Sequence, residues 1–163
     1  ITLQFALVGW GVIKDEAAVK AMSRTGDPRE ILRGPLFYGI VFVAMTLIYW
    51  KDSLIGIPAL MILCGGDGIA DIVGRRVKSR RWFWSPEKSV AGSLSVFLGG
   101  WLLTMFIFTI YVWMGAFSGP TTRFVLPVTI VAVAATLIES LPFKDIDNIT
   151  IALACALIGY LVF

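Results

Sequence analysis

The sequence predicts an all-α fold, a polytopic bundle of about five to six transmembrane helices with its polar chemistry gathered at one membrane interface. Three observations lead there. The 163 residues are 58% hydrophobic and only 15% charged, with a mean hydropathy of +0.84; soluble domains run at about 45–50% apolar and 25% charged. The apolar runs approach the roughly 20 residues that cross a hydrocarbon core, and short polar loops separate them. The cations are unevenly placed: 12 of the 14 Lys and Arg fall in loops 14–33, 75–88 and 143–148, which alternation puts on one face, leaving Lys51 and Arg123 opposite. The positive-inside rule makes the cation-rich face cytoplasmic, or stromal in a plastid membrane.

Taken in order, Ile1–Ile13 reads as the end of a hydrophobic helix that continues through Asp15–Ala21 and breaks at Thr25-Gly26. Because the chain opens inside an apolar run too short to span, it is read as a single integral-membrane domain, residues 1–163, that lacks further N-terminal spans. Asp27-Pro28-Arg29-Glu30 has the form of a helix start, with Asp at the N-cap, Pro in the first position and Glu three residues after the cap. Gly34–Trp50 is the second span, and Lys51-Asp52 is a polar break that forces an immediate return. Ser53–Gly74 is the third span. Gly66, Ala70 and Gly74 form a small-residue stripe at spacing four, the pattern of close helix packing. Arg75–Ser85 reads as a basic loop, with Trp82 and Trp84 as interface anchors. Ser85-Pro86 fits the N-cap and first position of a helix reaching Met114. Phe124–Pro142 and Ile149–Phe163 complete the bundle.

Absences narrow the chemistry. There is no histidine, which excludes imidazole relays, His metal ligands and Ser-His-Asp triads. Cys64 and Cys155 both lie in apolar runs and read as small buried hydrophobes. No GxxxxGK[ST] is present, so the chain is not a P-loop kinase.

The informative stretch is Cys64–Gly92, CGGDGIADIVGRRVKSRRWFWSPEKSVAG. Asp67 and Asp71 stand four apart, on one face of a helix, at the end of an apolar run. Charge at that depth is costly and marks function. Two carboxylates one turn apart suit a Mg²⁺ that keeps waters and substrate oxygens; the competing reading is a pair of interface charges satisfied by nearby arginines. Lys88-Ser89, in the first turn of the expected helix, suits a phosphate through free N–H groups and the helix dipole, unless Lys88 merely snorkels. Arg76, Lys78, Arg80 and Arg81 read mainly as lipid and topology charges. Glu139, near the end of a span, must be paired or functional. Asp145, Asp147 and Asn148 lie in the next loop and could be ordinary loop polarity and a helix cap. Acids and cations collected on one face point to a membrane enzyme using a soluble phosphate donor.

Four segments carry a resemblance: SRTGDPREILRGPLFYGI (Ser23–Ile40), GDGIADIVGRR (Gly66–Arg76), EKSVAGS (Glu87–Ser93) and IESLPFKDIDN (Ile138–Asn148). In this order they are similar to the phytol kinase and farnesol kinase family, more distantly related to dolichol kinase. The resemblance implies phosphorylation of an isoprenoid alcohol (phytol, geranylgeraniol or farnesol) by CTP with Mg²⁺, giving prenyl phosphate and CDP. It implies catalytic roles for Asp67, Asp71, Lys88 and Glu139, with Asp67 and Asp71 on the metal and Glu139 accepting the alcohol proton. It implies that Gly66, Gly68, Gly74, Arg75, Ser89, Gly92, Ser93, Asp147 and Asn148 bind the nucleotide. The expected partners are the prenyl alcohol, the nucleotide and the bilayer, with no nucleic acid. Many plant members have an order like D-I-D-D-N where this chain has Asp145-Ile146-Asp147-Asn148, one acid shorter, and loop Lys78–Ser85 is more basic and aromatic than the family pattern. Two other classes fit parts of the pattern: a CTP-using transferase resembling phosphatidate cytidylyltransferase, which releases pyrophosphate, and a non-enzymatic transporter, which calls for polar residues through the membrane midplane. A CDP-alcohol phosphotransferase shares aspartates at spacing four but needs more of them.

Overall fold

A computed structural model describes residues 1–163 except Arg24, Asp52, Lys144 and Asp145; the side chains of Asp67, Asp71 and Arg75 also lie outside the described structure. Among the described residues the elements are helices joined by loops, with one small hairpin. Helix α1 (Thr2–Gly9) ends before the first polar loop. A separate short helix α2 (Glu16–Met22) follows, so the expected continuous helix through Ala21 is interrupted. The cause is local: the Asp15 carboxylate accepts from the Ala18 backbone N–H at 2.9 Å, an N-cap that starts a new helix. Pro28–Leu32 forms a 3₁₀ turn capped by Asp27, whose carboxylate accepts from Arg29 N–H, and leads into α3 (Gly34–Tyr49). Trp50 takes a left-handed φ of 51° and reverses the chain.

The returning span is three pieces of one helix: α4 (Gly56–Met61), a π-helical segment Ile62–Asp67, and α5 (Gly68–Arg76). Strands β1 (Arg81–Trp82) and β2 (Ser85–Ser89) then form an antiparallel hairpin. Helix α6 (Val90–Trp113) runs about 36 Å at 1.5 Å per residue, enough for a hydrocarbon core of about 30 Å. A 3₁₀ turn, Thr121–Phe124, introduces α7 (Val125–Glu139), and α8 (Asp147–Val162) closes the bundle. Among the described residues, four helical runs are long and apolar enough to cross a membrane: Pro28–Tyr49, Gly56–Gly74, Val90–Trp113 and Thr121–Glu139. Apolar α8, at 16 residues, is shorter.

Helix α6 is the axis of the bundle. Glycines let it approach the π-helical segment closely: a Cβ built on Gly99 would lie 2.7 Å from the Gly65 carbonyl oxygen, and one on Gly66 3.0 Å from Val96 Cγ1. The small residues of the third span therefore serve close packing, as their spacing predicts. Ile62, Leu63, Val96, Val131, Ala135 and Cys155 fill the main core, and Ile57, Phe108, Phe124 and Val128 a second one. Cys155 is a buried apolar filler as expected; Cys64 also accepts a hydrogen bond from the Tyr38 hydroxyl at 3.0 Å.

Around the hairpin a boundary and a role differ from the sequence reading. Ser85-Pro86 does not start a helix, because Ser85–Ser89 is strand. The hairpin is held by Arg81, whose guanidinium donates to the carbonyls of Pro86 (2.7 Å) and Glu87 (3.1 Å). The cap of α6 is Ser89, its hydroxyl accepting from Gly92 N–H at 3.1 Å. The second difference is the role of Trp82 and Trp84. Their rings stack at 4.6 Å, and each indole N–H is committed to the protein, Trp82 to Ser93 Oγ and Trp84 to the Ser140 carbonyl, both at 3.0 Å. They strap the hairpin onto α6 and α7 and leave no N–H for lipid headgroups.

Candidate functional site: a buried ion cluster under the hairpin

The site is built where the start of α6, the end of α7 and the start of α8 meet beneath the hairpin. Glu139 is the last residue of α7. A carboxylate there faces the negative end of the helix dipole and, at 8% side-chain exposure, has little water to compensate. Partners supply what water does not. The Lys88 ammonium donates to Glu139 Oε1 at 2.9 Å, and the Ser93 hydroxyl donates to Oε2 at 2.8 Å. Ser93 is itself buried and accepts from the Trp82 indole. Lys88 also donates to Asp147 Oδ2 at 3.0 Å, where Asp147 sits favourably in the first turn of α8. One cation thus bridges two carboxylates from different helices. Burial pulls the Lys88 pKa down, but the charges of Glu139 and Asp147 and their hydrogen bonds more than offset it, leaving it above the ordinary 10.5.

This geometry corrects two expectations. Lys88 is not in the first turn of a helix; it lies in β2 and its ammonium is bound by carboxylates. Nor does α6 offer free N–H groups to a phosphate. Val90 N–H bonds the Arg80 carbonyl, Ala91 N–H the Ser79 hydroxyl and Gly92 N–H the Ser89 hydroxyl. The terminus is closed because the hairpin folds back over it.

The other sequence-predicted residues fall into groups. Asp67 closes the π-helical segment and Asp71 lies in α5, so the pair shares one continuous helical run at spacing four; their side chains, like that of Arg75, lie outside the described residues. Two carboxylates on adjacent turns are a donor set that fits Mg²⁺, and among the described residues no group of three or more Asp, Glu, Cys or His competes for a metal. Gly74, Ser89 and Gly92 come together: a Cβ on Gly74 would meet Ser89 Oγ at 3.7 Å and one on Gly92 would meet it at 3.1 Å. Gly66 packs on α6, whereas Gly68 has open space where a Cβ would stand. Asn148 is buried and its amide donates to the Gly34 carbonyl at 3.3 Å, which ties α8 to α3, while its backbone N–H donates to Asp147 Oδ1 at 3.2 Å, at the edge of the ion cluster. Asp145 lies outside the described residues.

The structure adds residues that the sequence reading assigned to lipid or left aside. A cleft of 270 Å³ between the end of α5 and the hairpin is lined by Gly74, Val77, Lys78, Ser79, Arg81 and Ser89. Lys78 and Arg81 are therefore drawn to a polar cleft beside Ser89. The only sequence signal was the density of cations from 75 to 81, which fits lipid binding equally well. The cluster also recruits Trp82 through Ser93.

No protein-family model and no solved structure matches the chain. Curated proteins do. The chain is 41% identical over 157 residues to a protein named probable phytol kinase, chloroplastic, from Triticum aestivum, covering 95% of this chain and 52% of that protein. It is 42% identical over 151 residues to probable phytol kinase 1, chloroplastic, from Oryza sativa subsp. japonica (91% and 48%). It is 40% identical over 166 residues to farnesol kinase, chloroplastic, from Arabidopsis thaliana (99% and 53%). The chain spans about half the length of these curated relatives. Over that span, the chain is similar to the phytol kinase and farnesol kinase family.

Proposed function

We propose that this chain forms the phosphoryl-transfer part of a membrane-embedded kinase, of a plastid membrane as in its relatives, that uses CTP and Mg²⁺ to convert an isoprenoid alcohol to its monophosphate, releasing CDP. The observation that carries the reading is the Lys88–Glu139–Asp147 cluster, built on the buried Glu139 carboxylate with two partly exposed partners, at the end of apolar helices under the hairpin. A carboxylate has about four acceptor positions, and Lys88 and Ser93 take two of those on Glu139, leaving capacity for a hydroxyl proton. Glu139 would accept the alcohol proton as the oxygen attacks the terminal phosphorus and its bond to CDP breaks. Lys88 holds the Glu139 carboxylate in place through its 2.9 Å contact, a positioning role in place of direct phosphate binding. The triphosphate would lie toward the cleft of Lys78, Arg81 and Ser89, whose charges suit it. Asp67 and Asp71 would hold Mg²⁺, which supplies charge neutralisation on phosphate oxygens. Phosphoryl transfer asks mainly for positioning and electrostatic stabilisation, and this arrangement offers both.

The test is full-length protein in nanodiscs with Mg²⁺, each nucleoside triphosphate in turn, and phytol, geranylgeraniol and farnesol. The expected products are prenyl monophosphate and CDP in equal amounts. Pyrophosphate with a CDP-lipid would instead identify a cytidylyltransferase, and turnover or transport indifferent to nucleotide would end the kinase reading.

A further inference from the structure

A groove of 280 Å³ runs between α6 and α7, lined by Leu94, Phe97, Val133, Thr136 and Leu137. Its lining is apolar throughout; the one hydroxyl present, on Thr136, is turned onto the Ala132 carbonyl of its own helix at 2.8 Å. Leu94 and Leu137 are 53% and 61% exposed, so the groove opens sideways, toward the lipid in a membrane. Its residues keep helical register with the ion cluster. Phe97 is four residues after Ser93 on α6, and Thr136 is three residues before Glu139 on α7. The groove therefore ends about one helical turn, roughly 5 Å, from the Ser93–Glu139 hydrogen bond.

The two ends select an occupant. The apolar length suits a hydrocarbon chain. The polar end carries two carboxylates against one ammonium, so it disfavours an anionic headgroup and accepts a neutral hydroxyl donor. The volume, just below the range of about 300–1,000 Å³ for small-molecule pockets, suits one chain and not the two chains of a phospholipid. We infer that this groove is the tail subsite of the acceptor alcohol: the prenyl chain lies between α6 and α7, with its hydroxyl at Glu139. The inference rests on the kinase reading and adds where the substrate enters and what reads its tail.

Photocrosslinking of full-length protein in phosphatidylcholine nanodiscs tests it, with a diazirine-bearing farnesol as the probe. Peptide mapping is expected to place the label on the α6 segment 94–97 and the α7 segment 133–137, with labelling suppressed by excess farnesol. Leu94→Trp and Val133→Trp, both at exposed positions, are expected to fill the groove. Each should raise KM for farnesol by about 10- to 200-fold while KM for CTP stays unchanged. Label on other helices, or equal labelling by a diazirine phosphatidylcholine that farnesol does not suppress, would overturn the groove. Unchanged KM for farnesol in both folded variants would do the same. Competed label in the groove without any phosphorylation would support the subsite while removing the kinase reading.

Discussion

Lys88 is the residue on which the site turns. With its side chain 21% exposed and its partners Glu139 and Asp147 at 8% and 27%, it is neither a surface pair nor a fully dry one. Lys88→Ala leaves two carboxylates facing each other across helix ends. It should cost about 3 kcal/mol, the scale of removing one partner from a buried pair. Adding Glu139→Gln should return part of that loss, which a double-mutant cycle on thermal unfolding would measure; additive costs would dissolve the cluster into independent contacts. The sign of the pH dependence follows from the raised Lys88 pKa: its stabilisation is full below the ordinary value of 10.5 and disappears as pH climbs through the higher folded-state value. Wild type should therefore lose this increment only in strong alkali, and Lys88→Ala should show no such step. Trp82 acts through Ser93 upon Glu139. Trp82→Phe keeps an aromatic ring to stack but removes the donor. It should lower kcat several-fold, on the scale of about 1 kcal/mol for one hydrogen bond, with KM for CTP unchanged; a change in KM alone would make Trp82 a strap and nothing more. Sequence reasoning found that Glu139 needed a partner. It placed Lys88 in the same site but gave it to phosphate and did not pair it with Glu139, because 51 residues of separation carry no information about distance and a lysine beside Ser-Val-Ala-Gly looks equally suited to phosphate.

At the scale of elements, the chain between α5 and α6 was the hardest to read. The sequence reading starts the helix at Ser85-Pro86, whereas the cap is Ser89, four residues later. The choice is made by tertiary contacts: the Trp82–Trp84 stack, the Arg81 bonds to Pro86 and Glu87, and the Trp84 bond to Ser140, a residue 56 positions away. The small-residue crossing was legible, since spacing four puts Gly66, Ala70 and Gly74 on one face whatever the packing partner proves to be. What the sequence withheld was the partner, Gly99 on α6, and the π-helical turn that brings Gly65 against it. Gly99→Ala separates the two influences. Alanine favours helix by up to about 1 kcal/mol over glycine, but its Cβ would sit 2.7 Å from the Gly65 carbonyl, and overpacking costs about 1–3 kcal/mol. The expected outcome is a net loss in thermal stability with lowered activity, because the moved helix is the one that carries Asp67 and Asp71. A stabilised variant would show that the crossing yields easily.

For the whole molecule, the sequence made one geometric claim, that three loops share a face. The structure brings two of them into contact through Lys88, Glu139 and Asp147, while Asn148 ties the third to α8 through Gly34. Which face this is remains a matter of charge: 12 of 14 Lys and Arg lie on it, and cations are retained on the side of synthesis. A membrane-impermeant thiol reagent applied to sealed vesicles of known orientation reads the answer. With Cys64→Ser and Cys155→Ala as background, the probes are Thr25→Cys, Phe83→Cys and Phe143→Cys on the cation-rich face and Thr122→Cys opposite, all at exposed positions. The first three should label together from the cytoplasmic or stromal side, and Thr122→Cys only from the other. The ion cluster demands this grouping, because a reagent reaching Phe143→Cys and Thr122→Cys from the same side would require α7 not to cross. Were that shared side the one opposite Phe83→Cys, the 2.9 Å contact between Lys88 and Glu139 would have to reach across the bilayer, which it cannot.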